Sequence, residues 1–190
     1  TSEWHVIPSD DPTAESRLVA ARDHGIEYDL EHHGDLFILR TNADGAEDYK
    51  LATAPVAAPG RENWQDLVPH EAGRLVLGVQ VNADHLIRLE RVEGLPRIVV
   101  REWAGGAEHA IAMDEEAYSL GLSGSLEFET TTLRFVYSSM TTPSETYDYD
   151  LITRERTLLK RQEVPSGHNP DDYITRRILA PAADGELVPV

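Results

Sequence analysis

Cysteine is absent from this 190-residue sequence, which excludes a disulfide scaffold, a thiolate zinc site and a cysteine nucleophile. The lack is compatible with a reducing compartment, and the cytoplasm is the expected location. Long apolar runs are missing too. None approaches the roughly 18 residues that a membrane-crossing helix needs, and Thr1 to Pro12 lack the basic and then apolar layout of a secretion signal. Basic residues are scarce: 17 Lys and Arg face 34 Asp and Glu, a net charge of -17. Such a surface repels phosphate backbones and anionic lipid, whose binding depends on Lys and Arg. No nucleic acid and no membrane is therefore expected as a partner, and a cationic one is favoured. What remains is a globular composition, 41% hydrophobic, at a length that buries roughly 70% of the extended-chain surface.

Helical periodicity is nearly absent as well. Short β-type runs of four to eight residues alternate with turn-forming clusters, the pattern of an all-β architecture. The runs are Arg17 to Ala20, Ile26 to Leu30, Leu36 to Arg40, Tyr49 to Ala54, Leu75 to Val81, Leu86 to Arg91 and Arg97 to Trp103. They continue with His109 to Met113, Ser119 to Leu122, Leu133 to Ser138, Thr146 to Leu151, Thr157 to Arg161 and Ile174 to Leu179. Asn42-Ala43-Asp44-Gly45, Glu93-Gly94, Gly105-Gly106 and Ala183-Asp184-Gly185 supply positive-φ or Asx turns between them. The segment from Ala57 to Trp64, with Pro59-Gly60, reads as an extended loop.

A repeat underlies the runs. Leu36-Phe37-Ile38-Leu39-Arg40, Leu86-Ile87-Arg88-Leu89-Glu90 and Leu133-Arg134-Phe135-Val136-Tyr137 fall 50 and 47 residues apart. A strand and a turn precede each, and two strands are expected to follow. A four-strand unit at this period is the mark of propeller blades. The expectation is a partial β-propeller of about three and a half four-stranded blades: the last strands of a preceding blade over 1–24, then blades over 25–73, 74–118 and 119–165. A β-sandwich of similar strand number is the alternative. The opening at Thr1, with apolar Trp4, Val6 and Ile7 close behind, reads as a chain cut from a longer one. Its terminal blades would then expose faces that self-association could cover.

Several stretches carry a resemblance. They are Glu3 to Pro12, Thr41-Asn42-Ala43-Asp44-Gly45, Arg61-Glu62-Asn63-Trp64, Tyr137-Ser138-Ser139-Met140-Thr141-Thr142-Pro143, Leu158 to Pro165, and Ala183 to Val190. Together, over essentially the whole chain, they resemble the oligopeptidase B group of the prolyl oligopeptidase family of serine peptidases. The resemblance implies a seven-bladed propeller capping an α/β-hydrolase domain that bears a Ser, Asp, His triad and cleaves short peptides after Arg or Lys. It implies that this chain is the second half of the propeller, with a linker over 166–172 and the first strands of the otherwise missing hydrolase domain over 173–190. The partners so implied are short basic peptides, the missing propeller half and the hydrolase domain. Gly167-His168-Asn169 departs from the aromatic expected in that linker.

No catalytic residue and no cofactor is assigned. The nearest approach to a nucleophile elbow, Gly121-Leu122-Ser123-Gly124-Ser125, lacks the final glycine and has no helix after it. No metal site is assigned either. His32 and His33 are adjacent on a strand and point to opposite faces. Tyr147-Asp148-Tyr149-Asp150 alternates, setting two carboxylates on a solvated face and two rings on a packed one. The acidic balance remains. Asp10, Asp11, Glu115, Glu116, Asp148 and Asp150 are candidates for a field that draws Arg- or Lys-bearing peptides, an effect that salt screens; solubility alone is the alternative reading. Glu163, Val164, Pro165, Ser166 and Gly167 form the candidate hinge or plain connector. A protein-binding propeller scaffold without peptidase activity is the competing function.

Overall fold

The computed structural model describes residues 1–125 and 127–190. It divides into two compact units, Thr1–Val81 and Asn82–Val190. In the first, β1 (His5–Val6) and β2 (Arg17–Leu18) form a two-stranded antiparallel pair. A four-stranded meander follows: β3 (Tyr28–His33), β4 (Leu36–Thr41), β5 (Lys50–Pro55) and β6 (Gln65–Val68), hydrogen-bonded in that order. Strand β7 (Arg74–Val81) closes the unit. The second unit holds β8 (His85–Val92), β9 (Leu95–Glu102) and β10 (Glu108–Ala110), each paired antiparallel with the next. A second four-stranded meander comprises β11 (Ser119–Leu122), β12 (Thr132–Ser138), β13 (Glu145–Asp150) and β14 (Arg156–Arg161). A hairpin of β15 (Leu179–Pro181) and β16 (Leu187–Pro189) ends the unit. Among the described residues no helix is long and apolar enough to cross a membrane.

Turn chemistry explains the registers. Val92 pairs with Leu95, and the two residues between them, Glu93 (φ 50°) and Gly94 (φ 83°), both take the left-handed region. That is the two-residue turn whose twist matches antiparallel strands. The repeat read from sequence falls on β4, β8 and β12, whose buried positions include Ile38, Leu39, Ile87, Leu133 and Phe135, all at 0% exposure. Some runs differ from expectation: the run from His109 to Met113 is a strand only to Ala110, and that from Arg17 to Ala20 only to Leu18. The second of the two strands expected after Leu36 to Arg40 has no run assigned to it; it is β6, where Gln65-Asp66 gives a polar start and only Val68 is buried. The run from Ile174 to Leu179 is not a strand until Leu179; its Ile178 instead exchanges two backbone hydrogen bonds with Val190 beyond the β15–β16 pair.

Each unit has its own apolar core. In the first, Val19, Ala20, Tyr28, Phe37, Leu39, Ala52 and Ala54 pack together, with Trp64 set edge-on to Tyr28 at 5.3 Å between ring centroids. Tyr28 is 2% exposed, and its hydroxyl is fully used. It donates to Ala20 O at 2.7 Å and accepts from Trp4 N at 3.0 Å and Ala20 N at 3.2 Å. Thus one side chain on β3 pins the segment preceding it. In the second unit, Ile87, Ile98, Val100 and Ile111 pack against Leu133, Phe135, Tyr137, Tyr149 and Leu151. Strands β8 to β10 also bury a charge network: Arg88 grips Glu108 with two bonds of 2.8 and 2.9 Å, and Arg97 reaches the fully buried Glu90 at 2.6 Å. Hydrogen bonding to Arg88 outweighs partial burial and holds the Glu108 carboxyl at about 2.

Candidate functional site

The chemistry-bearing groups of the second unit gather where β12 turns into β13. Ser139 begins the turn, and its hydroxyl accepts from the amides of Thr141 at 3.0 Å and Thr142 at 2.8 Å. That small side-chain cap bends Ser139-Met140-Thr141-Thr142 so that both threonine hydroxyls face one carboxylate. The carboxylate is Glu115, on the loop between β10 and β11. It accepts from Tyr137 Oη at 2.8 Å, Thr142 Oγ1 at 2.6 Å, Thr141 Oγ1 at 2.9 Å and Thr175 Oγ1 at 3.1 Å. Burial works against its charge, but the hydroxyls of Thr142, Ser139, Tyr137 and Thr141 outweigh burial and hold it at about 2. Desolvation and the Glu115 carboxylate together raise the Tyr137 phenol far above its ordinary range.

Beside this cluster lies an open recess of about 350 Å³. Its floor includes Glu145, only 2% exposed, which accepts from Tyr147 Oη at 2.6 Å and Arg161 Nε at 2.5 Å. Desolvation and that bond push Tyr147 up to about 12. Arg156 lines one wall, bound to Asp114 at 2.5 Å and to Ala112 O at 3.3 Å. Residues Asn169 to Asp171 face it from the segment after β14. Every hydroxyl around Glu115 donates to a group that keeps its charge near neutrality. The arrangement sets one carboxylate among four hydroxyl donors.

The acidic residues singled out from sequence occupy different surroundings. Asp10 and Asp11 are exposed in the first unit, Asp11 capping a turn through Thr13. Glu115 and Glu116 are neighbours in space as in sequence: Glu116 holds Arg176 through its guanidinium and accepts from the amide of Arg177 at 3.1 Å. Asp148 is clasped by Arg134 with bonds of 2.7 and 2.9 Å, and Asp150 accepts from the amides of Ile152 and Thr153 at 2.8 and 2.7 Å. As the alternation implied, Tyr149 is buried in the core and Tyr147 packs against it. The serines after Gly121 leave β11 in a loop, where Ser125 Oγ accepts from Glu127 N at 3.1 Å. His32 packs against Phe37, its β4 partner. Among the described residues no three His, Asp or Glu side chains group as a metal site requires. Thr141, Thr142, Thr175, Glu145 and Arg161 were not foreseen as site residues. The hydroxyl-rich run from Tyr137 to Thr142 was the available signal, but its shared acceptor lies more than 20 residues upstream.

Residues 1–162 match the family described as prolyl oligopeptidase, N-terminal beta-propeller domain. The chain belongs to the prolyl oligopeptidase family. Over its whole length it is 39% identical to a dipeptidyl aminopeptidase BI of Pseudoxanthomonas mexicana, covering 26% of that relative, and 28% identical to protease 2 of Moraxella lacunata, covering 27%. It thus spans about a quarter of the length of these curated relatives. Among solved structures, oligopeptidase B of Leishmania major superposes with a TM-score of 0.87 at 29% identity, over 98% of this chain and 28% of that one. Oligopeptidase B of Trypanosoma brucei, in a closed form with covalently bound antipain, gives 0.88 at the same identity and coverage. The all-β, propeller-type fold and the resemblance to oligopeptidase B are both borne out, and the sandwich is set aside.

Proposed function

We propose that the chain is the non-catalytic, second part of the propeller of an oligopeptidase B-like serine peptidase. In the parent it admits short peptides, excludes folded proteins, and steers substrates bearing Arg or Lys toward a Ser, Asp, His triad outside this chain. The match of residues 1–162 to the family's propeller domain carries the reading, and the net charge of -17 supports the steering. The six acidic candidates divide by their partners. Asp148 and Glu116 sit against Arg134 and Arg176 and add little to a distant field. Asp11, Asp150 and Glu115 accept from hydroxyls or amides, and Asp10 is exposed; among the described residues no ion pair sets a cation against any of these four. Residues 163–167 form the hinge, and Tyr173 to Val190 begin the hydrolase domain.

The test is an ionic-strength series on the complete enzyme with paired peptides, one ending in Arg and one in a neutral residue. The expected result is a kcat/KM that falls with salt for the Arg peptide and stays level for the neutral one. Parallel slopes would remove the steering role. Exposed Leu158 and Leu159 on β14, with Ile174, Ile178, Leu187 and Val188 after it, favour self-association of the isolated chain. Light scattering should report mass rising with concentration, and a strict monomer would count against this.

A further inference from the structure

We propose that Glu115 and Glu116 are positioning residues: they fasten residues 175–177 to the loop between β10 and β11 and so lock the connection that runs from the end of β14. The connection leaves the sheet at Gln162, whose amide donates to Ser144 O at 2.8 Å. Residues 163–167 are exposed. Midway, His168 Nε2 lies 2.6 Å from Thr141 O, and its ring stacks on Tyr173 at 5.3 Å. Thr175 Oγ1 then reaches Glu115 at 3.1 Å and Thr141 Oγ1 at 3.2 Å. Arg176 and the amide of Arg177 close on the two oxygens of Glu116, and the Arg177 side chain caps Glu93 O.

Neighbouring carboxylates thus perform one task from two directions. Glu115 is fixed by three hydroxyls of the sheet and offers its remaining lone pair to the crossing segment. Glu116 takes that segment's cation and its backbone. The four acceptor bonds on Glu115 are charge-assisted, the stronger kind, and only one of them, to Thr175, is made to the connection. Opening the connection therefore breaks the Thr175, Arg176 and Arg177 bonds while Glu115 keeps its sheet partners. The clasp is built to release without unfolding the sheet that carries it. This deepens the hinge assigned above to 163–167 and rests on that assignment for its meaning in the parent enzyme: the clasp sets how often the hinge opens.

Hydrogen exchange of the chain, resolved by peptide, tests it. Thr175→Val removes the segment's side of the clasp and leaves Glu115 in place. Exchange over 163–178 should accelerate about tenfold, with β12 and β13 unchanged. Glu116→Gln should accelerate 175–178 by a smaller factor. Thr175→Ser, which retains the hydroxyl, should restore protection, a rescue that loss of a packing contact alone would not show. Unchanged exchange over 163–178 in both Thr175→Val and Glu116→Gln, or acceleration spreading equally through β12 and β13, would overturn the proposal. The readout concerns the fastening alone, so its failure is separable from failure of peptide steering in the salt series.

Discussion

The first unit holds its leading segment and the second its trailing segment, and they do so by opposite means. Tyr28 binds Trp4 and Ala20 from inside an apolar cluster, with a hydroxyl that donates once and accepts twice. Glu115 and Glu116 bind residues 175–177 from a half-exposed polar cluster, with charges. The Tyr28 fastening depends on burial and on hydrogen bonds between neutral groups. The second depends on a carboxylate that must stay charged, which makes it the one that solution conditions can loosen.

The contrast is broken most severely at Tyr28. Tyr28→Ala should cost about 3 to 5 kcal/mol of the first unit's stability, since a large buried ring leaves a cavity. Tyr28→Phe should cost about 1 to 3 kcal/mol by leaving the Trp4 and Ala20 amides without their acceptor. Urea unfolding followed through Trp4 and Trp64 measures both, once Trp103, the remaining tryptophan, is replaced by Phe. Glu115→Gln should cost about 1 to 2 kcal/mol and act on the second unit alone; an equal loss in the first unit would contradict the division.

Acid sharpens the same comparison. Glu115 and Glu108 are both held at about 2, below the ordinary 4.5. A depressed carboxylate contributes stability that is complete above its unfolded pKa and is lost as pH falls through its folded value. Protection over 175–178 should therefore decline between about pH 4.5 and 2. In the first unit Glu31, raised by burial, has the opposite sign, its contribution being fullest in acid and lost as pH rises through its folded pKa. Proton NMR across this range should show signals of Thr175 and Arg177 moving before those of Trp4 and Ala20; the reverse order would refute the contrast. The smallest effect belongs to the exposed acids. Asp10→Asn and Asp11→Asn should change stability by no more than about 0.5 kcal/mol, and in the complete enzyme should lower kcat/KM on Arg peptides only slightly.

Much of the fold was legible because strands with alternating burial write themselves into sequence. The turn at Glu93-Gly94 and the repeat at Leu36, Leu86 and Leu133 placed equivalent strands without any contact information. Strand β6 escaped because an edge strand needs little apolar sequence of its own; β5 supplies its hydrogen-bond partners. The site was legible only in part. Glu115 and Glu116 stood out as acids, and the run from Tyr137 to Thr142 as a family stretch, yet nothing local joins them. Their union, with Thr175 a further 33 residues along from Thr142, is made by sheet packing and a chain crossing. Buried Arg88 and Glu90 likewise occupy strand positions where a repeat of apolar residues would lead one to expect a wholly apolar core.

The central proposal, that this chain steers and positions but performs no chemistry, is tested most directly by assaying the purified chain on an Arg-ended chromogenic peptide beside a complete oligopeptidase B. The account predicts turnover by the complete enzyme and none by the chain. Hydrolysis that scales with the amount of chain through successive purification steps would contradict it.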